Sequence, residues 1–388
     1  MIDFFYSPET PLKHCTSDTF IRNIFLNYHI LLLSFTGKTH LIMFKIILFF
    51  VVFVLFPVRK IQAQTRYTVK TVAFYNTENL FDTIPDSEWD AERSPEGSYR
   101  WTSERYRDKL SRVAHVISGI GADITGTAPD IVGLAEVENG NVLHDLVSTD
   151  NLAPYHYGIV HFDSPDRRGI DVALLYKKDC FTPLSSRNVP LEIYDEESSR
   201  IYTRDQLLVS GILDDEPVYF IVNHWPSRYG GERKSRPNRM AAAALNKKII
   251  DSVIALTPDA KIISMGDLND DPTDPSLKKV LKTRKERRGR DESTLYNPME
   301  EMAEKGLGTL AHRDQWHLFD QIFFTSSLLK KDKSSYRYWK AGIYNKHFLI
   351  TPSGPYRGYP LRSYTNGNYS GGYSDHFPVY IYLVKQIP

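Results

Sequence analysis

Asp267 and Asn269 stand two residues apart in the stretch Ser264-Met-Gly-Asp-Leu-Asn-Asp-Asp-Pro272. An apolar run at 260–263 precedes it and reads as a buried strand. Gly266, lacking a Cβ, lets the backbone turn sharply there. If the chain stays extended through Leu268, Asp267 and Asn269 project to one side and Leu268 to the other. A carboxylate beside an amide at the mouth of a sheet can handle a water and an anion together. The same residue types favour an Asx turn leaving a strand. This stretch alone leaves both readings open.

Other clusters repeat the pattern of an apolar run with a polar end. Asn76 and Glu78 follow a run at 69–75, Glu136 follows one at 129–134, and Asn223 and His224 follow one at 217–222. Asp320 precedes a run at 321–325, and Asp375 and His376 precede one at 379–383. Singly, each has a plain explanation: Glu136 as a helix cap, His224 as a core imidazole, Asp375 and His376 as turn residues. Together they are hard to attribute to chance, because open α/β sheets place their ligands at strand ends.

Oxygen donors dominate this set, and thiolates contribute nothing to it, since the only cysteines are Cys15 and Cys180. Such donors suit a hard cation, Mg2+ or Mn2+ with Ca2+ as a third candidate, better than zinc. A cation of that kind neutralises a phosphate oxygen and a leaving oxyanion. Asp267 can orient or deprotonate an attacking water. A histidine beside a carboxylate keeps its proton to higher pH, and an imidazolium facing a phosphoryl group stabilises it.

The elements that must position these groups alternate along the chain. Residues 103–120 show helical spacing of Tyr106, Leu110, Val113, Ala114 and Ile117. Strands are expected at 156–162 and 171–176, around Ser164-Pro-Asp-Arg-Arg-Gly169, and a hairpin at 206–213 and 217–222. A Gly-rich basic loop at 228–236 leads to Asn238, read as the cap of a helix at about 240–256. The basic run 278–290 reads as a solvated face, with a substrate-steering patch as the sharper alternative. Residues 333–371 have little periodicity; such a long irregular segment is usually functional or mobile. Strand, polar end, crossover, strand is the grammar of a layered α/β domain.

The chain has 388 residues, 41% hydrophobic and 24% charged, enough for a packed core. The first 63 residues hold six Lys/Arg and three Asp/Glu, leaving 42 bases against 44 acids in the remainder. That balance excludes a general nucleic-acid coat but leaves room for a local anion site. Residues 1–63 read as a leader: an upstream extension, then a secretory signal at 43–63. Lys45 is its basic start and 46–56 its apolar run, with cleavage expected after Ala63. Ile61 is not ideal for cleavage, so a retained anchor is the alternative. A secreted or periplasmic location follows. Residues 66–388 read as a single catalytic domain, with no linker or repeat dividing them. Cys180 alone rules out a disulfide framework in that body.

In order, Asn76-Thr-Glu-Asn-Leu, Leu134-Ala-Glu136, Gly266-Asp-Leu-Asn269, Phe319-Asp-Gln-Ile and Ser374-Asp-His376 resemble the endonuclease/exonuclease/phosphatase superfamily. The resemblance spans residues 68–385. It implies a four-layer α/β sandwich, with two central mixed β-sheets packed face to face and helices outside. It implies a divalent ion at Glu136, assisted by Asn76, Glu78 or Asp375. It also implies that Asp267 positions the water, Asn269 binds phosphate, and His376 contacts the scissile phosphate while paired with Asp320. His224 matches a position where members place a phosphate-touching His or Tyr. Asn223-His-Trp-Pro-Ser227 and the following Arg233, Lys234, Arg236 and Arg239 resemble a secreted bacterial branch. Asn76, Asn223, Arg233, Arg236 and Arg239 are accordingly expected at the substrate phosphate. Members with Asn-x-Asp at the first motif carry a carboxylate one methylene shorter than Glu78.

Three readings of function follow. The first is a metal-dependent phosphodiesterase or endonuclease on nucleic acid, with Arg228, Arg233, Lys234, Arg236 and the 336–370 segment holding phosphates and stacking bases. The second is a phosphatase or phosphodiesterase for a lipid headgroup or inositol phosphate, with Tyr336, Tyr338 and Trp339 against a membrane. The third is a non-catalytic surface-binding module. A monomer without an obligate protein partner is expected in each case.

Overall fold

The computed structural model describes residues 43–49, 66–85, 91–287 and 294–387. The chain divides into two compact units, Met1–Gln64 and Thr65–Pro388. In the first, residues 43–49 are helical; the rest of the expected leader, 1–42 and 50–63, lies outside the described residues. Among the described residues no helix is long and apolar enough to cross a membrane.

The second unit holds two six-stranded mixed sheets. In chain order the strands are β1 (Tyr67–Leu80), β2 (Ile131–Val137), β3 (Tyr157–His161), β4 (Asp171–Lys177), β5 (Phe181–Val189) and β6 (Gln206–Leu213). They continue with β7 (Glu216–His224), β8 (Lys261–Asp267), β9 (Leu295–Tyr296), β10 (Asp320–Thr325), β11 (Arg337–Ile343) and β12 (Val379–Gln386). The first sheet runs β11-β12-β1-β2-β4-β3 and the second β9-β10-β8-β7-β6-β5. Each has one parallel pair at its centre, β1 with β2 and β7 with β8.

Side-chain alternation explains the layers. Val72 and Phe74 of β1, Ile131 and Ala135 of β2, and Val172 and Leu174 of β4 point into the space between the sheets. They meet Phe220 and Val222 of β7, Ile263 and Met265 of β8, and Ile322 and Phe324 of β10. Gly133 belongs there because Met265 crosses from the other sheet: a Cβ on it would lie 2.6 Å from the Met265 sulfur. The alternate residues Ala73, Tyr75, Val132 and Leu134 face outward under two helices, α1 (Ser103–Gly119) and α2 (Gly140–Val147). On the far side Ile221, Ile262 and Phe323 pack under α3 (Glu232–Leu256). Helix, sheet, sheet, helix is the four-layer sandwich expected from the sequence.

α1 starts at the expected Ser103, capped by Thr102, whose side chain accepts from the Arg105 amide. Other boundaries differ. α3 begins eight residues before the expected start, directly after Gly230-Gly231, both with positive φ. Pro237 and Asn238 therefore lie inside the helix, and the expected loop 228–236 is largely its first turn. The Glu232–Arg236 ion pair at i,i+4 supports that turn. β8 runs through Asp267 rather than turning at Gly266. That glycine serves close packing, because a Cβ would lie 2.3 Å from the Asn223 carbonyl oxygen. The segment 333–371 contributes β11 to the edge of the first sheet and a small hairpin, Tyr364–Thr365 with Asn368–Tyr369. Tyr336 and Tyr338 are buried, which removes them from a membrane surface; Trp339 is exposed.

Candidate active site

The two central parallel pairs end at the same edge of the sandwich. Register places Asn76 of β1 opposite Ala135 of β2, one residue before Glu136. In the other sheet Asp267 pairs with His224 on one side and Asp320 on the other. The antiparallel strands β10 and β12 start where the parallel pairs end, so Asp320 and the preceding Asp375-His376 join them. Glu78, Asn79, Glu136 and Asn269 adopt positive φ, between 50° and 60°. Non-glycine residues rarely sit there, and such strain clusters at functional sites. Here it re-aims side chains where β1 and β2 leave their ladder.

Contacts across the two sheets bring the groups together. The Asn76 amide donates to Asp267 Oδ2 at 3.1 Å. His224 Nε2 lies 3.5 Å from Asp267 Oδ2 and 3.9 Å from Glu136 Oε1. His376 Nε2 is 3.9 Å from Asp267 Oδ2, and its Nδ1 is 2.7 Å from Asp320 Oδ2. Asp267 Oδ1 accepts the Asn269 backbone amide at 3.0 Å, an Asx turn. Leu268 points the other way, into the core under α3. The turn reading and the site reading of this stretch therefore coexist. Asn269 Nδ2 donates to Trp225 O, leaving its second amide hydrogen for a ligand.

Burial sets the protonation states. It raises the Asp267 pKa to about 6, with the negative charges of Asp320 and Glu136 adding to the rise and the His376 charge opposing it. For His376, burial alone would lower the pKa. Asp320, by charge and hydrogen bond, and Asp267 and Asp375, by charge, outweigh that and hold the ring well above the ordinary histidine range. His224 goes the other way, lowered well below that range by burial and by Arg204, Arg168 and His376. Its distance to Asp267 would permit an ion pair, but with the ring enclosed among cations the neutral form is the consistent one. One charged and one neutral imidazole thus flank a single carboxylate.

The donors fit a hard divalent cation at Glu136. Glu136 Oε2 accepts the Asn79 amide at 3.0 Å, while Oε1 faces Arg168 Nη1 at 3.5 Å. Asn79, whose backbone amide meets Glu136, has a buried Oδ1 without a hydrogen-bond partner. Buried acceptors of that kind ordinarily have one. Asp267, Asp320 and His376 also group closely, but the ion pair between the last two already balances their charge.

Six expected site residues stand apart from the centre or are engaged by other groups. Glu78 is turned from a direct metal role: Oε1 takes Arg362 Nε, and Oε2 takes the Ser363 amide with Lys109 Nζ at 3.8 Å. Asn223 is fully buried, donating to Ser264 Oγ and Met265 O and accepting from Asn246, so it braces β7 against α3 and cannot reach a phosphate. Arg239 is also fully buried, its Nε 2.5 Å from Asp270 Oδ1, and anchors the loop after β8. Arg236 is engaged by Glu232 on the surface of α3. Arg233 is exposed on the same turn. Asp375 is about one-third exposed and bonds Arg362 Nη2 at 2.8 Å. Arg228, weighed as a phosphate holder, is tied to Asp270 and Asp274.

The structure adds residues that the sequence reading passed over. Arg168 reaches Glu136 from the loop between β3 and β4; its signal was a basic pair before a glycine between two strands. Arg204 bonds the carbonyls of His224 and Trp225 and so fixes the His224 turn. Lys109, completely buried on α1, donates to Ser363 Oγ and the Tyr373 carbonyl. It sits on the apolar face of that helix, and a lysine among Tyr106, Leu110 and Val113 is the signal for it in the sequence.

A model of the endonuclease/exonuclease/phosphatase family matches residues 71–385. No curated protein sequence matches the chain. Among solved structures, a family protein from Bacteroides thetaiotaomicron is 17% identical, with TM-score 0.51, covering 83% of this chain and 96% of its own. One from Bacteroides vulgatus is 17% identical with TM-score 0.49, covering 81% and 98%. D. rerio TDP2, solved in complex with a single-strand DNA product, is 16% identical with TM-score 0.48, covering 81% and 99%.

Proposed function

This chain belongs to the endonuclease/exonuclease/phosphatase family and is a hydrolase of phosphate esters; we propose that it is an exported phosphodiesterase that attacks phosphorus with an activated water. The observation that carries the reading is the pairing of one buried carboxylate, Asp267, with a charged His376 and a neutral His224.

Asp267 takes the proton of the attacking water. A carboxyl with its pKa near 6 is ionised at neutral pH yet more basic than an ordinary aspartate. Asn76 holds it in orientation through Oδ2. His376, kept charged by Asp320, stabilises negative charge developing on the phosphoryl oxygens. Neutral His224 donates from Nε2, and Asn269 offers its second amide hydrogen to the same oxygens. A divalent cation at Glu136 supplies, when bound, charge neutralisation for the phosphoryl group and the departing alkoxide. Arg168 lies beside Glu136 and adds positive charge on that flank. Export rests on the apolar run at 46–56, and fractionation of cells producing the full chain tests it.

The activity test is release of p-nitrophenol from bis-p-nitrophenyl phosphate with Mg2+ or Mn2+, alongside DNA, RNA, sphingomyelin and inositol polyphosphates. Diester cleavage that Asp267→Asn abolishes is the expected result. Inorganic phosphate as the sole product would replace the diesterase reading with a monoesterase.

A further inference from the structure

Beside the site lies a cavity of about 470 Å3, within the range of roughly 300–1,000 Å3 usual for small-ligand sites. Its wall includes Glu78, Asn79 and Arg362, which also belong to the site edge. Asn79 donates its backbone N–H to Glu136 Oε2, so an occupant reaches the centre within one residue's span.

The lining has a distinct chemistry. None of its residues is aliphatic. Tyr99 and Tyr364 meet edge to face with centroids 5.1 Å apart, and the Tyr364 hydroxyl donates to Tyr99 O at 2.8 Å. The Arg93 guanidinium lies 4.9 Å from the Tyr99 ring centroid. Arg362 is fixed by Glu78 Oε1 and Asp375 Oδ2 yet half exposed, so it offers a rigid guanidinium plane. Flat rings and guanidinium planes suit a flat ligand. An acyl chain would find no aliphatic wall. An inositol polyphosphate would need a positive excess, but Glu78 and Glu92 balance Arg93 and Arg362. A heteroaromatic ring with donors and acceptors on its edge matches both properties.

We propose that this cavity seats one unpaired nucleobase of the strand whose phosphate is cut, which makes the enzyme a nuclease of single strands or strand ends. The proposal rests on the phosphodiesterase reading above. A base in such a cavity cannot remain stacked in a duplex.

The test compares (dT)8 with the same backbone carrying abasic units. Wild type is expected to cleave the base-bearing strand roughly 5- to 150-fold faster in kcat/KM, the factor to which stacking worth about 1–3 kcal/mol per base converts. Tyr364→Ala should erase that preference by slowing only the base-bearing strand. Ser98→Trp, at an exposed rim position, fills the cavity without removing a wall and should do the same if Tyr364→Ala misfolds. Equal rates on both strands in wild type, or equal losses on both in the variants, overturn the proposal. Cleavage of bis-p-nitrophenyl phosphate or sphingomyelin without cleavage of either strand overturns it while the diesterase reading stands. No cleavage of any diester removes both.

Discussion

His376 and Asp320 hold each other at 2.7 Å although they flank strands of different sheets. Asn76 and Asp267 repeat the arrangement at 3.1 Å, again one residue from each sheet. The site is therefore built across the sheet–sheet seam, and its geometry depends on how the inner faces pack.

Replacing Asp320 with Asn keeps the shape and removes the charge that holds the His376 proton. The ring's pKa then falls, and the alkaline limb of the kcat/KM profile moves to lower pH. Turnover at the optimum should fall by about 10²-fold. Stability follows the same linkage: a raised histidine pKa stabilises the fold below the unfolded value, and that benefit fades as pH rises through the folded value. The melting-temperature gap between wild type and variant should thus be widest in acid. A pH profile with an unmoved alkaline limb would detach His376 from the reaction.

Asp267→Asn should inactivate the enzyme without unfolding it. The folded pKa of about 6 exceeds the unfolded value near 3.8, so the ionised carboxylate costs stability at neutral pH. As pH falls through 6, wild type regains that stability and the Asn variant has nothing to regain. Any thermal advantage of the variant at pH 7.5 should shrink by pH 5. Scanning calorimetry across that window checks the sign, and a gap that widens in acid refutes it.

Chelation should abolish turnover, with Mg2+ or Mn2+ restoring it. Cation binding is also readable without substrate. Protonation of Asp267 removes negative charge beside Glu136, so Mg2+ affinity measured by calorimetry should weaken below about pH 6. Glu136→Gln should weaken it at every pH. Unaltered affinity in that variant would move the cation elsewhere.

The strands carrying the site were legible because both of their faces are buried, one against the other sheet and one under helices, so each reads as an unbroken apolar run. The motif residues stood out as the polar positions at which those runs stop. β11 was not legible, since its register shifts between Tyr338 and Lys340 and the alternation breaks there. The start of α3 was missed because Asn238 reads as a cap and 228–236 as a glycine-rich loop, whereas the loop ends at Gly231 and the helix begins directly after it. Asn223, Arg239 and Glu78 share a different cause. Each looks like a ligand-facing polar residue, and what each does is decided by partners far off in sequence: Asn246, Asp270 and Arg362. The Glu78–Arg362 contact spans 284 residues, beyond the reach of any local pattern.

That distinction between buried and surface arginines is measurable. Arg239→Ala leaves Asp270 buried without its closest cation and should cost roughly 3–5 kcal/mol in denaturant unfolding. Arg233→Ala, on the exposed turn of the same helix, should stay within about 0.5 kcal/mol. If Arg233→Ala instead raises KM for a phosphodiester severalfold at unchanged stability, the surface arginine contacts substrate after all.

Lys109 sits behind the site rather than in it. Its ammonium ties helix α1 to Ser363 Oγ and to the Tyr373 carbonyl, three residues before His376. Burial lowers its pKa against the pull of Glu78. Lys109→Met keeps the stem but frees that loop and leaves Glu78 with Arg362 as its remaining cation. The expected loss is about 3 kcal/mol, at the low end for breaking a buried pair because Arg362 remains. Turnover should fall with it, since the loop carries His376. Adding Glu78→Gln to Lys109→Met removes the stranded charge and should recover part of the stability, though not the turnover. Absence of any recovery would show that Lys109 acts through Ser363 and Tyr373 alone.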